Sequence, residues 1–526
     1  MSKVVSVKIA VGLVSDNDIV AVNSSSGLCC PDAVLAALGE RFDETGSPKN
    51  LTTIHPIAAG DMFGTKGVDH IAKPGMLARI IGGSYPSGPT KAEPPLIWQM
   101  IVANQVRAYN VPSGIVFDIL REGAAKRPGV LTKVGMQTFV DPDLEGCAMN
   151  DAARDAPIVS KREFDGEDWL YFKAMAPDVA IIRATTADER GNLTFEQEGA
   201  YLGAMEIALA ARNTGGKVIA QVKRVAMNGT LRPHDVRVPG ILVDAIVVAP
   251  EQLQTTATAY DPAISGEIVR PLETFNTTEF NVGKVIARRV AQELQDGWAV
   301  NIGFGISANV PRILIEEGLH GSVTWMIEQG AVGGIPLLDF KFGCAANAEA
   351  FVASPHQFSY FQAGGFDATL LSFLEVGQDG SVNVSRLPAV PHRTAGVGGF
   401  VDITSNAKKI VFSGNFNAGA KMRLEDGKIV IDQEGKVAKF VDEVDQVSFS
   451  GARATAQGQD VTYVTERCVI VLRDGHLVVT EVAPGLDVQK DILDQAAPTL
   501  IVADDVQTMD APLFQPDVMN LALATS

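Results

Sequence analysis

The chain has 526 residues, is 46% hydrophobic and 20% charged, and carries a formal net charge of −18. That length is too great for one hydrophobic core and implies two or more domains, and that composition excludes disorder over most of the chain. The acidic balance argues against nucleic acid or an anionic membrane as a general partner, since both require a positive field.

The N-terminal run MSKVVSVKIAVGLV is broken by Lys8 and has no cleavage-like site, so it reads as a short helix or strand rather than a leader. No stretch reaches the roughly 18 uninterrupted apolar residues of a membrane span. Of the five cysteines, Cys29 and Cys30 are adjacent and Cys147, Cys344 and Cys468 are scattered. They show neither metal spacing nor a disulfide framework, so a reducing cytoplasm is the expected compartment.

Residues 18–22 (DIVAV) predict a buried strand, followed by the small polar loop NSSSGLCCP and an amphipathic helix, PDAVLAALGERF, with proline near its start. Such a loop puts backbone N–H groups at the head of a helix dipole, which favours anions. The turns IAAGDMFG and IIGGSYPSGP suggest loops around an active-site mouth. Helix is expected over 99–109, a strand with a turn over 129–140, and a hairpin or small insertion over 142–166. A strand at 179–184, a Gly-Asn turn (TTADERGNLTF), a helix at 202–212 and a strand at 217–222 follow, closed by VRVPGILVDAIVV. Periodicity is lost over 255–278, which marks a domain boundary.

The second half repeats the pattern: helix (VGKVIARRVAQEL), strand (299–302), small-residue loop (GFGISANVP) and helix (PRILIEEGL). DERGNLTF in the first half is answered by GQDGSVNVSRL in the second. The expected fold is therefore α/β, two tandem related open domains over 1–275 and 279–526, with a ligand cleft between them.

Residues 322–340, SVTWMIEQGAVGGIPLLDF, combine a β-branched and aromatic strand with one acid, Glu328, at the point where the strand gives way to a glycine-rich loop. In α/β sheets that is where ligands bind; a strand-terminating acid in a solvated turn is the plainer alternative. Three small-residue segments, 303–311, 395–400 (AGVGGF) and 412–420 (FSGNFNAGA), could line a cleft around it. A carboxylate nucleophile needs no separate base, being ionised at pH 7; it needs an activated acyl group and donors for the developing oxyanion. The glycines of AGVGGF could provide such amides or simply form a tight turn. The seven histidines form no HxxxH or HExxH pattern, a GxSxG elbow is absent, Cys344 lacks a partner, and NIGFGISAN lacks the third glycine of a dinucleotide site.

Taken in order, VDPDL, ADERGNLTF, VRVPGILVDAIVV, NIGFGISANVP, IEQGAVGGIP, DGSVNVSRL, AGVGGF, TERCVIVL and LVVTEVAPGLDVQKDIL resemble family I coenzyme A transferases over nearly the full chain. The likeness is to the single-chain form with fused halves that acts on short acyl groups such as propionate and acetate. The resemblance implies that Glu328 is the nucleophile and that Gly398 or Gly399 donates to the oxyanion. It also implies coenzyme A contacts from Gly303 and Gly305, with Asn383 and Gly419 as further candidates for that wall. The substrates implied are acyl-CoA and a short carboxylic acid, with coenzyme A as substrate and covalent thioester. No metal and no permanently bound cofactor are implied, and the assembly expected is a homo-oligomer, dimer or tetramer. The loop NSSSGLCCP departs from the glycine signature of two-subunit relatives and is assigned no catalytic role. Acyl-CoA hydrolysis and coenzyme A binding without turnover remain alternatives.

Overall fold

The computed structural model describes residues 3–61, 63–86, 94–386 and 395–525. Its framework is two mainly parallel sheets. In the first, β1 (Ile19–Val22), β2 (Leu51–His55), β3 (Leu77–Gly82), β4 (Arg107–Asn110), β5 (Val179–Asp188), β6 (Lys217–Ala226) and β7 (Ala245–Val248) lie in the order β7-β6-β5-β1-β2-β3-β4, all parallel. Two short antiparallel strands, Leu193–Thr194 and Val236–Val238, complete nine. Every residue of β5 is buried, Arg183, Thr185, Thr186 and Asp188 included, as expected of a parallel strand covered on both faces.

In the second sheet β8 (Trp298–Ile302), β9 (Val323–Met326), β10 (Ala368–Ser372), β11 (Lys409–Ser413) and β12 (Asp460–Val464) lie in the order β9-β8-β10-β11-β12, again parallel. Five further strands, two at one edge and three at the other, extend it to ten. The order of succession reverses between β1 and β5 in one sheet and between β8 and β10 in the other, the crevices where open α/β sheets take ligands.

The two halves share their opening plan. A helix (Val7–Val11 or Val282–Ala291) leads to β1 or β8, then a loop and a helix (Asp32–Thr45 or Val310–Glu316), then β2 or β9 alongside. The matched turns at Gly191 and Gly380 both close antiparallel hairpins, the first between the end of β5 itself and Leu193–Thr194, the second between Glu375–Val376 and Val382–Asn383 just after β10. Residues 249–281 contribute no strand to either sheet. One apolar core nevertheless runs through both halves, joining Ile54, Ile115 and Phe117 to Phe358, Val397 and Phe400.

Two local expectations change. Residues 99–109 are not one helix: the helix Leu96–Val102 stops, Asn104 takes a left-handed φ of 54°, and Arg107–Asn110 becomes the edge strand β4. The head of Asp32–Thr45 is closed by protein, because Gln221 Oε1 accepts from the amides of Ala33 and Val34 at 3.0 and 3.3 Å. Residues 142–166 do form part of a small three-stranded sheet (Gly129–Thr132, Val159–Phe164, Glu167–Lys173). Among the described residues no helix is long and apolar enough to cross a membrane, and all five cysteines are free and buried.

The loop after β1 is anchored by a buried ion pair. Arg183 on β5 meets Glu198 through Nε at 3.1 Å and Nη2 at 2.6 Å, and its Nη1 donates to Cys30 O at 3.2 Å. Glu198→Ala leaves that guanidinium buried and uncompensated, and the expected cost is about 3–5 kcal/mol. A shift in the urea midpoint at constant slope checks it.

Candidate active site

Glu328 follows the end of β9, inside a tight turn in which Ile327 N and Gly330 N donate to Ala331 O and Ile327 O. Gly330 has φ 120°, and a side chain there would strike Val352 O. The backbone on either side is fixed by buried side-chain donors: Asn301 Nδ2 donates to Met326 O (3.0 Å), Gln357 Nε2 to Ile327 O (3.2 Å), and Ser354 Oγ to Gln329 O (3.0 Å). The acid is thus held by β8, by the helix Ser354–Gln362 and by its own turn.

Glu328 is half-buried and lines a cavity of about 480 Å3 between the two halves. The second half supplies Gly303 and Phe304 from the end of β8, Leu371 and Ser372 from the end of β10, and residues 395–400. The first half supplies the loops after β1, β2 and β3. Among the described residues, no histidine or cysteine lines this space.

The segment 395–400 belongs to the second half but is moored to the first. Tyr85 N donates to Ala395 O (2.7 Å), Gly398 N to Gly83 O (2.8 Å) and Ser113 N to Gly398 O (3.0 Å), while Asn110 Oδ1 accepts from Val397 N (3.0 Å). The helix it leads into, Phe400–Thr404, carries Asp402, fully buried, which accepts from Gly114 N and from Gln362 Nε2 at 2.9 Å each. Gly399 then sits directly against the acid: a Cβ there would overlap Glu328 Oε2 and lie 2.6 Å from the Phe358 ring.

Burial pushes the Glu328 carboxyl up to about 7, against the opposing pull of the Gly399 backbone amide and the Gln329 side chain. Gln329 Nε2 lies 3.0 Å from Glu328 Oε1 and 3.1 Å from Ser25 Oγ. Burial likewise raises Asp402 to about 7, with the neighbouring charges of Asp118 and Glu328 adding to the rise. Desolvation, which no cation among the described residues offsets, therefore opposes the full ionisation at pH 7 that the sequence reading expects.

Of the residues singled out from the sequence, Glu328, Gly398, Gly399 and Gly303 come together at the cavity. Gly398 differs from Gly399 in one respect that matters: its N–H is already committed to Gly83 O, so Gly399 is the amide that faces the carboxylate. Gly305 is not among the residues that line the cavity; its φ of 115° and the close approach of Ser372 require glycine. Asn383 is not brought to the cavity. It is buried, donates to Glu375 Oε2 (2.7 Å) and Arg386 O (2.6 Å), and accepts from Ser385 and Arg386 amides; its neighbour Val384 is the residue on the wall. Gly419, with φ 83° and open space within 4 Å of where a Cβ would stand, lies outside the cavity, so two glycine-rich segments converge on the acid rather than three. Leu387 of DGSVNVSRL, residues 87–89 of IIGGSYPSGP, and His392 lie outside the described residues. The loop NSSSGLCCP proves to be part of the site through Ser25 and Ser26. Sequence reasoning missed Asp402, Asn110 and Gln329, of which only Gln329, adjacent to the acid, carried a signal.

The family model for coenzyme A transferase matches residues 4–249. A caffeate CoA-transferase of Acetobacterium woodii is 40% identical, covering 98% of each chain. The acetate CoA-transferase YdiF of Escherichia coli K12 is 36% identical over 99% of this chain and 96% of its own. The crystal structure of acyl-CoA transferase YdiF from E. coli O157:H7, described as a thioester complex with CoA, superposes with a TM-score of 0.91 at 35% identity, covering 100% of this chain and 98% of that one.

Gly399→Ala forces its methyl group into Glu328 and Phe358, and turnover should fall by about 100-fold, the scale of a lost or displaced oxyanion donor, with little change in far-ultraviolet circular dichroism. Stability should respond to pH as well. A carboxyl whose folded pKa lies above its unfolded one favours the fold while protonated, and that contribution is lost as pH rises from about 4.5 to about 7. Glu328→Gln should therefore be more stable than the parent at pH 8, by at most about 3 kcal/mol since the cleft admits screening water, and about equal at pH 5. Denaturant midpoints at the two pH values decide it.

Proposed function

The chain belongs to the coenzyme A transferase family, and from that premise we propose that it moves coenzyme A between a short-chain acyl-CoA and a free carboxylic acid by double displacement at Glu328. The observation that carries the proposal is a carboxylate that, among the described residues, has no counter-ion, set against the Gly399 amide in a cleft that both halves line.

In the proposed reaction the ionised Glu328 attacks the thioester carbonyl of acyl-CoA. The C–S bond breaks, leaving an acyl-glutamyl anhydride and coenzyme A thiolate. The thiolate attacks the glutamyl carbonyl, forming a glutamyl-CoA thioester and releasing the acyl group as its carboxylate. An acceptor carboxylate then runs the same steps in reverse, so no proton is consumed and no metal or redox step is involved. Gly399 N–H is the donor in place for the oxyanion, and Gln329, held between Glu328 and Ser25, orients the nucleophile. Gly303 and Phe304 at the end of β8, with Leu371 and Ser372 at the end of β10, are the wall offered to the pantetheine arm. The relative described as a thioester complex with CoA supports the intermediate. We assign the reaction to the cytoplasm and the working form to a homo-oligomer.

Incubation with acetyl-CoA followed by borohydride or hydroxylamine should modify Glu328, read by peptide mass spectrometry. Glu328→Ala should lose at least about 1,000-fold in turnover, and full transfer by that variant sinks the proposal. The free enzyme's kcat/KM should rise with pH through an apparent value near 7, because the nucleophile must ionise.

A further inference from the structure

One fully buried acid takes no part in the proposed reaction. Asp402 has no exposed surface and is not among the residues that line the cavity, so it meets no substrate. Burying a carboxyl is costly unless its oxygens find donors, and both of these do: Oδ2 accepts from Gly114 N and Oδ1 from Gln362 Nε2, each at 2.9 Å. Glycine at 114 lets them approach, because a Cβ there would stand 2.5 Å from Asp402 Oδ1 and 2.7 Å from Gln362 Nε2.

The two donors belong to different parts of the molecule. Gln362 ends the helix Ser354–Gln362, and that helix fixes the acid: its Gln357 donates to Ile327 O and its Ser354 to Gln329 O, on the two sides of Glu328. Asp402 stands in the first turn of the helix Phe400–Thr404, whose N-cap is Gly399, and Ile403 N closes that turn on Gly399 O at 2.9 Å. The bond between Gln362 and Asp402 therefore joins the helix that holds the carboxylate to the helix that follows the facing amide, while Gly114 N ties the same carboxyl to the first half. Asn110, Gly83 and Ser113 fix the backbone before Gly399; Asp402 is the corresponding hold after it.

We propose that Asp402 is a positioning residue for the transfer reaction, setting the Gly399 amide against Glu328 through its paired bonds to Gly114 and Gln362. The inference rests on the transferase reading and adds a residue to it. A helix of five residues has little stability of its own, so its place depends on what it is tied to. Misplacing a reacting group's partner by about 1 Å costs roughly 100-fold in rate, even when the cause lies away from the chemistry.

The test uses the full chain with acetyl-CoA and propionate, and counts competent sites by borohydride reduction of the thioester at Glu328, so that every rate refers to protein able to react. Asp402→Ala should lower kcat per competent site by about 30-fold or more, with KM for acetyl-CoA within about threefold of the parent. Asp402→Asn keeps an acceptor for Gly114 N and presents an amide that Gln362 can meet by turning its own, so kcat should return to within about fivefold of the parent. Gln362→Ala, also outside the cavity lining, should lower kcat as well. Combined with Asp402→Ala it should lose no more than about twofold beyond the worse single variant, because both act on one link. An Asp402→Ala protein within about threefold of the parent kcat, an Asp402→Asn protein no better than Asp402→Ala, losses that multiply in the double variant, or a loss confined to KM or to the number of competent sites would overturn the inference and leave the transferase reading standing. Failure of the parent to exchange coenzyme A with any acid removes both.

Discussion

The site depends on one arrangement of backbone: a glycine-rich segment of the second half hydrogen-bonded to strand ends of the first. Gly83, Asn110 and Ser113 fix residues 397 and 398, and the next residue, Gly399, can then approach Glu328 with no side chain between them. Neither half could do this alone, since the acid follows β9 and its facing amide is located by β3 and β4. The shared apolar core, with Phe117 against Phe358 at 5.9 Å between ring centroids, makes the relative placement of the halves part of the chemistry.

That placement brings a carboxylate into a region of low polarity without offering it a cation among the described residues. Pairing it with arginine or lysine would stabilise the charge and make the group unreactive. Leaving it unpaired raises its free energy when ionised, which is the state that attacks an acyl carbonyl in the proposed reaction. Asp402 bolts the helix after the glycine segment to Gly114 and Gln362, and its own ionisation is opposed by burial and by the charges of Asp118 and Glu328. Two acids whose titrations are raised by burial therefore stand close together, Glu328 on the cleft and Asp402 behind it in the core.

Much of this was legible in the chain. Strands at 18–22, 179–184, 299–302 and 323–327 were legible as short, largely apolar runs, although the second continues to Asp188 through Thr185 and Thr186, which read as a turn, and the repeated order of helix, strand, small-residue loop and helix revealed two related halves. Glu328 was legible because a single acid terminates such a run beside glycines. What the sequence could not carry was contact at long range. Asp402 looks like an ordinary helical acid until Gly114 and Gln362 are brought to it, and the cost of burying Glu328 depends on walls drawn from loops of both halves. Residues 395–400 and 412–420 are alike in composition, yet only the first meets the acid, because the strand ends that hold it belong to the other half. Asn383 failed for the converse reason: its polar atoms are consumed by Glu375 and residues 385–386.

The duplicated plan also explains why the halves divide the labour. Each has a crevice where its strand order reverses, but the loop after β1 is short-tethered, with Cys30 O held by Arg183 and the following helix head occupied by Gln221. The loop after β8 has no such plug among the described residues: Gly303 and Phe304 stand open beside Ser372, whose Oγ donates to Phe304 O at 2.9 Å. The cavity that reaches Glu328 follows the second crevice, whereas the space at the head of the first-half helix, lined by Cys30, Ala33, Arg183 and Gln221, is separate from it. The first half is then free to contribute serines as a wall, and one duplicated scaffold supplies two unlike surfaces to a single carboxylate.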